Sequence, residues 1–299
     1  MTVSGSILGN PVQRLEDDPI LRGAARYLED LALDGTTHLV FVRSTVAHAR
    51  IVNVDTSEAR AAPGALAVCT ADDLDLANLQ GMMPPALNRP PLARGVVRFV
   101  GDIVAAVLGE TRAQAVDAAE LVVIDYDPLP VVTDAEAALA DGSPLLFPEA
   151  EDDPSVLEGS DVVVRSRFLN QRLAAVPMEP NGVLVEPGVP DGGLTFHVPT
   201  QNPNGVRDGL APVFGLEPER VRVVTPTVGG GFGAKSGVYV EFVIAGALAR
   251  RFGRPVKWVE TRSEDMVALT HGRGQIQELE LGLKNDGTLV GLRGRIVAD

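Results

Sequence analysis

At 299 residues, with 45% hydrophobic and 22% charged side chains, the chain has enough sequence for two ordinary domains. Acidic residues outnumber basic ones 40 to 26, a formal net charge of −14, and no basic stretch rises out of that background, which argues against nucleic acid and anionic membrane surfaces as partners. The longest apolar run, 242–249, is far too short to span a bilayer, and the opening MTVSGSILGN lacks the basic and apolar regions of an export signal, so a cytoplasmic protein is expected.

In chain order, the first half reads as extended segments, HLVFVRS (38–44), ARIVNVDT (49–56), ALAVCT (65–70), DIVAAVLGE (102–110) and ELVVIDYDPL (120–129), interspersed with a few helical ones. Cys69, the single cysteine, excludes an internal disulfide and a four-cysteine zinc or iron–sulfur site; in its apolar strand it reads as a small core residue. Thr111 and Gln114 form a capping pattern that opens a helix ending near Leu121.

A stretch rich in Pro, Asp, Glu and Ser follows, and it divides the chain into 1–130, a surface linker over 131–160, and 161–299. Beyond it, strands are predicted at VVVRSRFL (162–169), GVLVE (182–186), LTFHVPT (194–200), RVRVVTP (220–226), VKWVET (256–261), QELELGL (277–283) and LVGLRGRIV (289–297). Two helices separate them, 204–214 and 238–252, closed by Gly215 and Gly253, with Asn285-Asp286-Gly287 turning the last hairpin. Mixed strands and helices without regular alternation predict an α+β fold.

The most informative stretch is TPTVGGGFGAKSG, 225–237. Gly229, Gly230, Gly231 and Gly233 leave backbone N–H groups unscreened, so a ligand oxygen can approach the main chain, and the helix that follows would add its positive end. A plain turn is one reading. A nucleotide P-loop is a second, but GGGFGAKS places Ala234 where the motif needs its last glycine, and of the downstream apolar runs that could hold Mg²⁺, VKWVE ends in Glu260 and RIVAD only in Asp299.

The third reading is resemblance. GGGFG-x-K after a strand, with Thr200-Gln201-Asn202-Pro203 about 30 residues upstream, resembles the large subunits of molybdenum hydroxylases, the xanthine dehydrogenase, aldehyde oxidase and carbon monoxide dehydrogenase relatives. Further blocks match in order: GNPVQRLEDDPILRGAARYLEDL (9–31), HLVFVRSTVAHARIVNVDTSEARAAPG (38–64), VRFVGDIVAAVLGETRAQAVDAAELVVIDYDPLPVV (97–132), FLNQRLAAVPMEPNGVLVE (168–186) and VKWVETRSEDMVALTHGRG (256–274). The resemblance implies an a/b hammerhead domain followed by the first part of a mixed α+β molybdopterin-binding domain. It implies oxidative hydroxylation of an aldehyde, a heterocycle or carbon monoxide, and a molybdenum–molybdopterin cofactor in its dinucleotide form. The partners it implies are an iron–sulfur subunit, an FAD subunit and the remainder of the large subunit. The family's large subunits are more than twice as long and carry the catalytic glutamate in the part without a counterpart here, so the chain is expected to be inactive alone, with an orphan subunit-interaction module as the alternative.

By the same resemblance Gln201 is a ligand-facing amide, a neutral donor that stabilises charge on oxygen without titrating; its other role is to cap the helix beside Asn202 or Asn204. Phe232 offers its backbone amide to the metal's ligand sphere, or is a core aromatic. Lys235 is either a cation for a cofactor phosphate or a lysine exposed at a helix start. Glu179, between Pro177 and Pro180, reads as a structural carboxylate that accepts backbone N–H bonds rather than a base. His38, His48, His197 and His271 lack metal-ligand spacing and read as packing or hydrogen-bonding residues. Two departures from the family's pattern stand out. Ala234 replaces a glycine and requires a negative φ, and Ser236 stands where purine-oxidising members carry glutamate, which argues against a purine substrate.

Overall fold

The computed structural model describes residues 9, 11, 13–74, 76, 79, 90–139, 153–188 and 192–298. Most of the opening decapeptide and residues 140–152 of the expected linker lie outside them. The strands are β1 (Thr37–Arg43), β2 (Ala49–Asp55), β3 (Ala65–Cys69), β4 (Val96–Val97), β5 (Ile103–Gly109), β6 (Val123–Pro128), β7 (Val162–Asn170), β8 (Gly182–Pro187), β9 (Leu194–His197), β10 (Val221–Val224), β11 (Val256–Val259), β12 (Gln275–Leu283) and β13 (Leu289–Ala298). The helices are α1 (Asp17–Leu21), α2 (Ser57–Ala61), α3 (Arg112–Glu120), α4 (Pro203–Val213), α5 (Val240–Phe252) and α6 (Arg262–Ala268).

Each expected strand forms. The expected helix at Thr111 is α3, whose first turn is held by Gln114 N–H donating to Thr111 Oγ1 at 3.3 Å. Gly215 and Gly253 close α4 and α5 in the left-handed conformation, both at φ 61°. α5 starts at Val240, two residues later than expected, because Tyr239 stays extended and turns its hydroxyl back onto the carbonyl of Ala234. α6 was not foreseen, although Thr261-Arg262-Ser263-Glu264 carries the capping-box signature. Thr261 Oγ1 accepts from Glu264 N–H at 3.2 Å while Glu264 Oε2 accepts from Thr261 N–H at 2.9 Å.

In the described residues the main sheet has seven strands in the order β10-β9-β8-β11-β1-β5-β3. It therefore crosses the division at 131–160. β1 pairs in parallel with β11, Thr37 opposite Val256, and antiparallel with β5. α5 is apolar nearly all round and packs on β8 and β11, which is what a helix with no polar face must do. Phe41, Val183, Phe196, Phe242, Leu248 and Trp258 belong to one buried cluster that draws on both halves, and the Phe41 and Trp258 rings meet edge to face at 5.5 Å across the β1·β11 seam. Two three-stranded sheets, β4-β2-β6 and β13-β12-β7, flank it.

Charge seals the same seam. Arg43, at the end of β1, donates to Glu241 of α5 at 3.0 Å and to Glu264 of α6 at 2.8 Å, and all three side chains are largely buried. Burial opposes the Arg43 charge, but the two carboxylates outweigh it and raise the guanidinium pKa further. Removing the cation strands two buried carboxylates. Arg43→Met is therefore expected to lower stability by roughly 3–5 kcal/mol, read from urea unfolding followed by Trp258 fluorescence. A loss under about 1 kcal/mol would place the triad with ordinary exposed ion pairs.

Candidate cofactor-binding site

The glycine loop leaves β10 and returns to α5, and it rests on two other segments. One is the turn between β9 and α4, where Asn202 caps the helix by accepting from Gly205 N–H at 3.0 Å. The other is the Pro177–Pro180 segment that leads into β8. The N-terminal arm passes beneath: Thr227 N–H donates to the carbonyl of Arg26 at 3.1 Å, and Leu28 N–H to Glu179 Oε1 at 3.3 Å.

Gln201 is therefore free of the capping role. Its backbone N–H donates to the carbonyl of Lys235 at 2.9 Å, and its side-chain Oε1 accepts from Gly233 N–H at 2.9 Å. That second bond takes the amide oxygen and leaves Nε2 as its donor. The close approach explains Gly231. A Cβ there would stand 2.6 Å from Gln201 Oε1, nearer than any side chain tolerates.

Phe232 is no core aromatic. It is 76% exposed, and its φ of +52° is unusual for a bulky residue. In the Pro177–Pro180 region, Val176 also lies at positive φ, +44°, and Met178 is exposed. Backbone held in sparsely populated conformations is enriched at ligand sites. The loop turns through Gly230 and Gly233 at positive φ, while Ala234 does not, so its extra methyl meets the stated condition and is buried.

The backbone amides decide what the loop can bind. Gly229 N–H donates to Glu179 Oε2 at 2.8 Å and Gly233 N–H to Gln201, while those of Gly230, Gly231 and Phe232 have no hydrogen-bond acceptor among the described residues. Three successive N–H groups left over, beside a side-chain amide donor, form a cradle for oxygen atoms that carry negative charge. The helix contributes less than its sequence position suggested, since α5 begins at Val240, beyond the intervening turn.

Lys235 points the other way. It is 1% exposed and lies beneath the loop, with Nζ donating to the carbonyl of Glu179 at 2.7 Å and to its Oε2 at 3.1 Å. Burial lowers its pKa, and Glu179, Glu260 and Asp265 oppose that shift. It is thus neither exposed nor free to reach a phosphate, which removes the cation a P-loop needs. Glu179 accepts from Leu28 N–H, Gly229 N–H and Lys235 Nζ, the structural role expected of it. Arg262 of α6 secures the same segment by donating to the carbonyl of Pro177 at 2.7 Å.

Below this pair, Glu260 at the end of β11 is 3% exposed and accepts from Asn181 N–H at 3.1 Å. Burial, with Glu241 and Asp265 nearby, pushes its pKa from 4.5 up to about 8. No motif marked it in the sequence. The described residues hold no cluster of metal-ligating side chains; His48 Nδ1 lies 2.7 Å from the carbonyl of Pro130, His271 Nδ1 accepts from Arg172 Nε at 3.1 Å, and His197 Nε2 stands 3.8 Å from Glu186. Burial raises the pKa of the Cys69 thiol, in keeping with a core residue. No helix among the described residues is long and apolar enough to cross a membrane.

The molybdopterin cofactor-binding domain family matches residues 145–299, and the a/b hammerhead domain of aldehyde oxidase and xanthine dehydrogenase matches residues 22–130. The chain belongs to the molybdenum hydroxylase large-subunit family. It is 32% identical to the nicotine 6-hydroxylase large subunit of Paenarthrobacter nicotinovorans over 99% of this chain and 38% of that protein. It is 33% identical to the carbon monoxide dehydrogenase large chain of Afipia carboxidovorans over 98% of this chain and 39% of the relative. Among solved structures, quinoline 2-oxidoreductase from Pseudomonas putida 86 superposes with a TM-score of 0.86 at 36% identity, over 97% of this chain and 39% of that one. The chain thus spans about 39% of the length of such relatives.

Glu260 carries a pH signature. Its folded pKa lies above its unfolded one, so the folded state holds the extra proton and stability falls as pH rises from about 4.5 to about 8. Glu260→Gln keeps a neutral acceptor for Asn181 and removes that loss. The variant is expected to match the parent near pH 5 and to melt higher at pH 8.5; equal melting temperatures across that range would show that the carboxyl ionises freely.

Proposed function

We propose that this chain forms one wall of a molybdenum–molybdopterin site in a cytoplasmic hydroxylase complex, built from Gln201, Gly229, Gly230, Gly231, Phe232 and Gly233. The observation that carries the reading is the row of unpaired amides at Gly230, Gly231 and Phe232 beside Gln201, whose Oε1 is already taken by Gly233. These donors suit the oxygen-rich ligands of such a cofactor. When bound, the group supplies two-electron oxidation of the substrate, with electrons passing to iron–sulfur and FAD subunits.

Within the chain, each residue has a defined task. Gln201 Nε2 presents a neutral donor to oxygen, aligned in advance by the bond from Gly233 N–H to its Oε1. The Glu179–Lys235 pair holds the loop from below rather than touching the cofactor. The substrate is an aldehyde, a heterocycle or carbon monoxide. Ser236 donates to the carbonyl of Gly233 at 2.7 Å, so it closes the turn, and the carboxylate that purine-oxidising members carry here is missing. The dinucleotide form of the cofactor is part of the same reading. The base is not supplied by this chain, which leaves it without turnover alone. An orphan module that binds partner subunits without catalysis is the competing reading, and the strained, donor-lined loop argues against it.

Two measurements test this. In the assembled enzyme Gln201→Ala is expected to leave molybdenum content nearly intact and slow turnover by about 10²-fold, the usual cost of one preorganised donor. Gly231→Val drives a branched side chain into Gln201 and the cradle, so bound molybdenum and pterin should be lost while the fold remains. Full metal content and full turnover in both variants would reduce the loop to an ordinary turn. The chain purified free of other polypeptides should give no turnover of aldehydes, heterocycles or carbon monoxide with an artificial electron acceptor; measurable turnover would assign it the missing base.

A further inference from the structure

The backbone just ahead of β8 is held in a shape that its own sequence does not favour. Val176 is β-branched and precedes Pro177, and both features call for extended backbone, yet its φ is +44°. Such a conformation persists only where the surroundings over-determine it. Here they do so through three successive carbonyls. Arg262 Nη2 donates to the carbonyl of Pro177 at 2.7 Å and to that of Met178 at 3.2 Å, and Lys235 Nζ donates to that of Glu179 at 2.7 Å.

Arg262 is itself braced. Its other amino group, Nη1, bonds Asp265 Oδ2 at 2.5 Å, and that carboxylate is wholly buried one helical turn along α6. The helix in turn is anchored to β1 through Glu264, which accepts from Arg43 Nε at 2.8 Å. The planar guanidinium thus spans a carboxylate on one side and two carbonyls on the other, a reach that a fork of fixed donors has and a point charge lacks. What it holds leads straight to the loop. Glu179, the next residue, donates its backbone N–H to the carbonyl of Gly229 at 3.2 Å and accepts from Gly229 N–H at 2.8 Å through Oε2. A shift of residues 177–178 is therefore carried to Gly229, where the row of unpaired amides begins.

We infer that Arg262 is a positioning residue for the cofactor cradle: through the carbonyls of Pro177 and Met178 it sets Glu179, and Glu179 sets Gly229 and the three amides that follow it. The inference rests on the reading of the loop as a molybdopterin site. Among the described residues the bonds of the Arg262 guanidinium go to Asp265 and to those two carbonyls, so it acts on the loop through other residues and does not touch the ligand.

The test compares Arg262→Lys and Arg262→Gln with Arg254→Gln as the control. Arg254 makes the same kinds of bond, a paired carboxylate at Glu110 and a carbonyl at Gly35, but away from the loop. Arg262→Lys keeps a charge beside Asp265, so it removes the reach while the buried carboxylate stays paired. The chain is made in cells unable to synthesise molybdopterin, and backbone hydrogen exchange is followed by mass spectrometry in peptides covering 176–181 and 227–235. Exchange in both peptides should quicken by about tenfold or more in each Arg262 variant, the effect of losing one charge-assisted hydrogen bond, while the β5 and α5 peptides keep the parent rates. Parent rates at the loop in Arg262→Lys overturn the inference, as do acceleration spread over the whole chain or the same loop response from Arg254→Gln.

A second readout is molybdenum and pterin content in the assembled enzyme from cells that make the cofactor. Both Arg262 variants should lower it by about tenfold, the cost of a lost supporting contact, with Arg254→Gln at the parent level. Quickened loop exchange with parent molybdenum content would overturn the cofactor reading, because the loop would then move without consequence for the metal; the link from Arg262 to Gly229 would stand without its ligand.

Discussion

The parallel pairing of β1 with β11 is the constraint on which the rest depends. Thr37 lies opposite Val256, more than two hundred residues on, so the main sheet closes only when the two halves of the chain meet. Everything at the seam then has to be satisfied from both sides. Thr37 N–H and hydroxyl both reach the carbonyl of Pro255, and Lys257 of β11 donates to carbonyls of the arm at Glu29 and Leu31. Arg43 closes the far end against α5 and α6. A chain whose first and last thirds share one sheet folds through non-local contacts, at the slow end for its size.

The seam also explains the rigidity of the loop. β11 sits beside β8, which places Glu260 against Asn181 and brings the segment before β8 under the glycine loop. Glu179 can then reach Leu28 on the arm, Gly229 at the start of the loop and Lys235 at its end. One carboxylate ties three distant stretches of backbone. An ion pair buried to this degree adds little net stability compared with apolar packing, but it fixes a unique arrangement, because leaving either charge unpaired there is costly.

Much of this was legible. Short apolar and alternating runs located the strands, Thr111 and the glycines at 215 and 253 bounded the helices, and the lone carboxylate between two prolines did accept backbone N–H bonds. What failed has physical reasons. The partner of Glu179 is 56 residues away, at no helical or strand spacing, so Lys235 could only be read locally, as a cation near a glycine loop. α6 carried its capping signature, Thr261 to Glu264, but only seven residues follow the cap, too few for a periodic apolar pattern. Composition marks 131–160 as a change of character, and it does so faithfully as chemistry. Sheet membership is decided by pairing rather than composition, so that boundary could not reveal β1 lying against β11. Glu260 was invisible for the same reason: a glutamate ending a strand looks ordinary until its neighbours are known to be Glu241 and Asp265.

The division of groups around the loop has a consequence for chemistry. On the proposed reading every donor offered to the ligand is neutral, backbone N–H or the Gln201 amide, whereas Lys235, Glu260 and Asp265 are buried and Glu179 is partly buried against Lys235. A neutral donor keeps its hydrogen bond whatever the pH, and one already oriented by its own acceptor contact loses no energy to reorientation when charge develops on a bound oxygen. The buried charges set where the donors stand without competing for the ligand. On the proposed reading, positioning and binding fall to different residues. That separation is what lets substitution of Gln201 affect turnover while the loop keeps its shape, and it is why the pH response of the fold, centred on Glu260, can be distinct from that of the site above it.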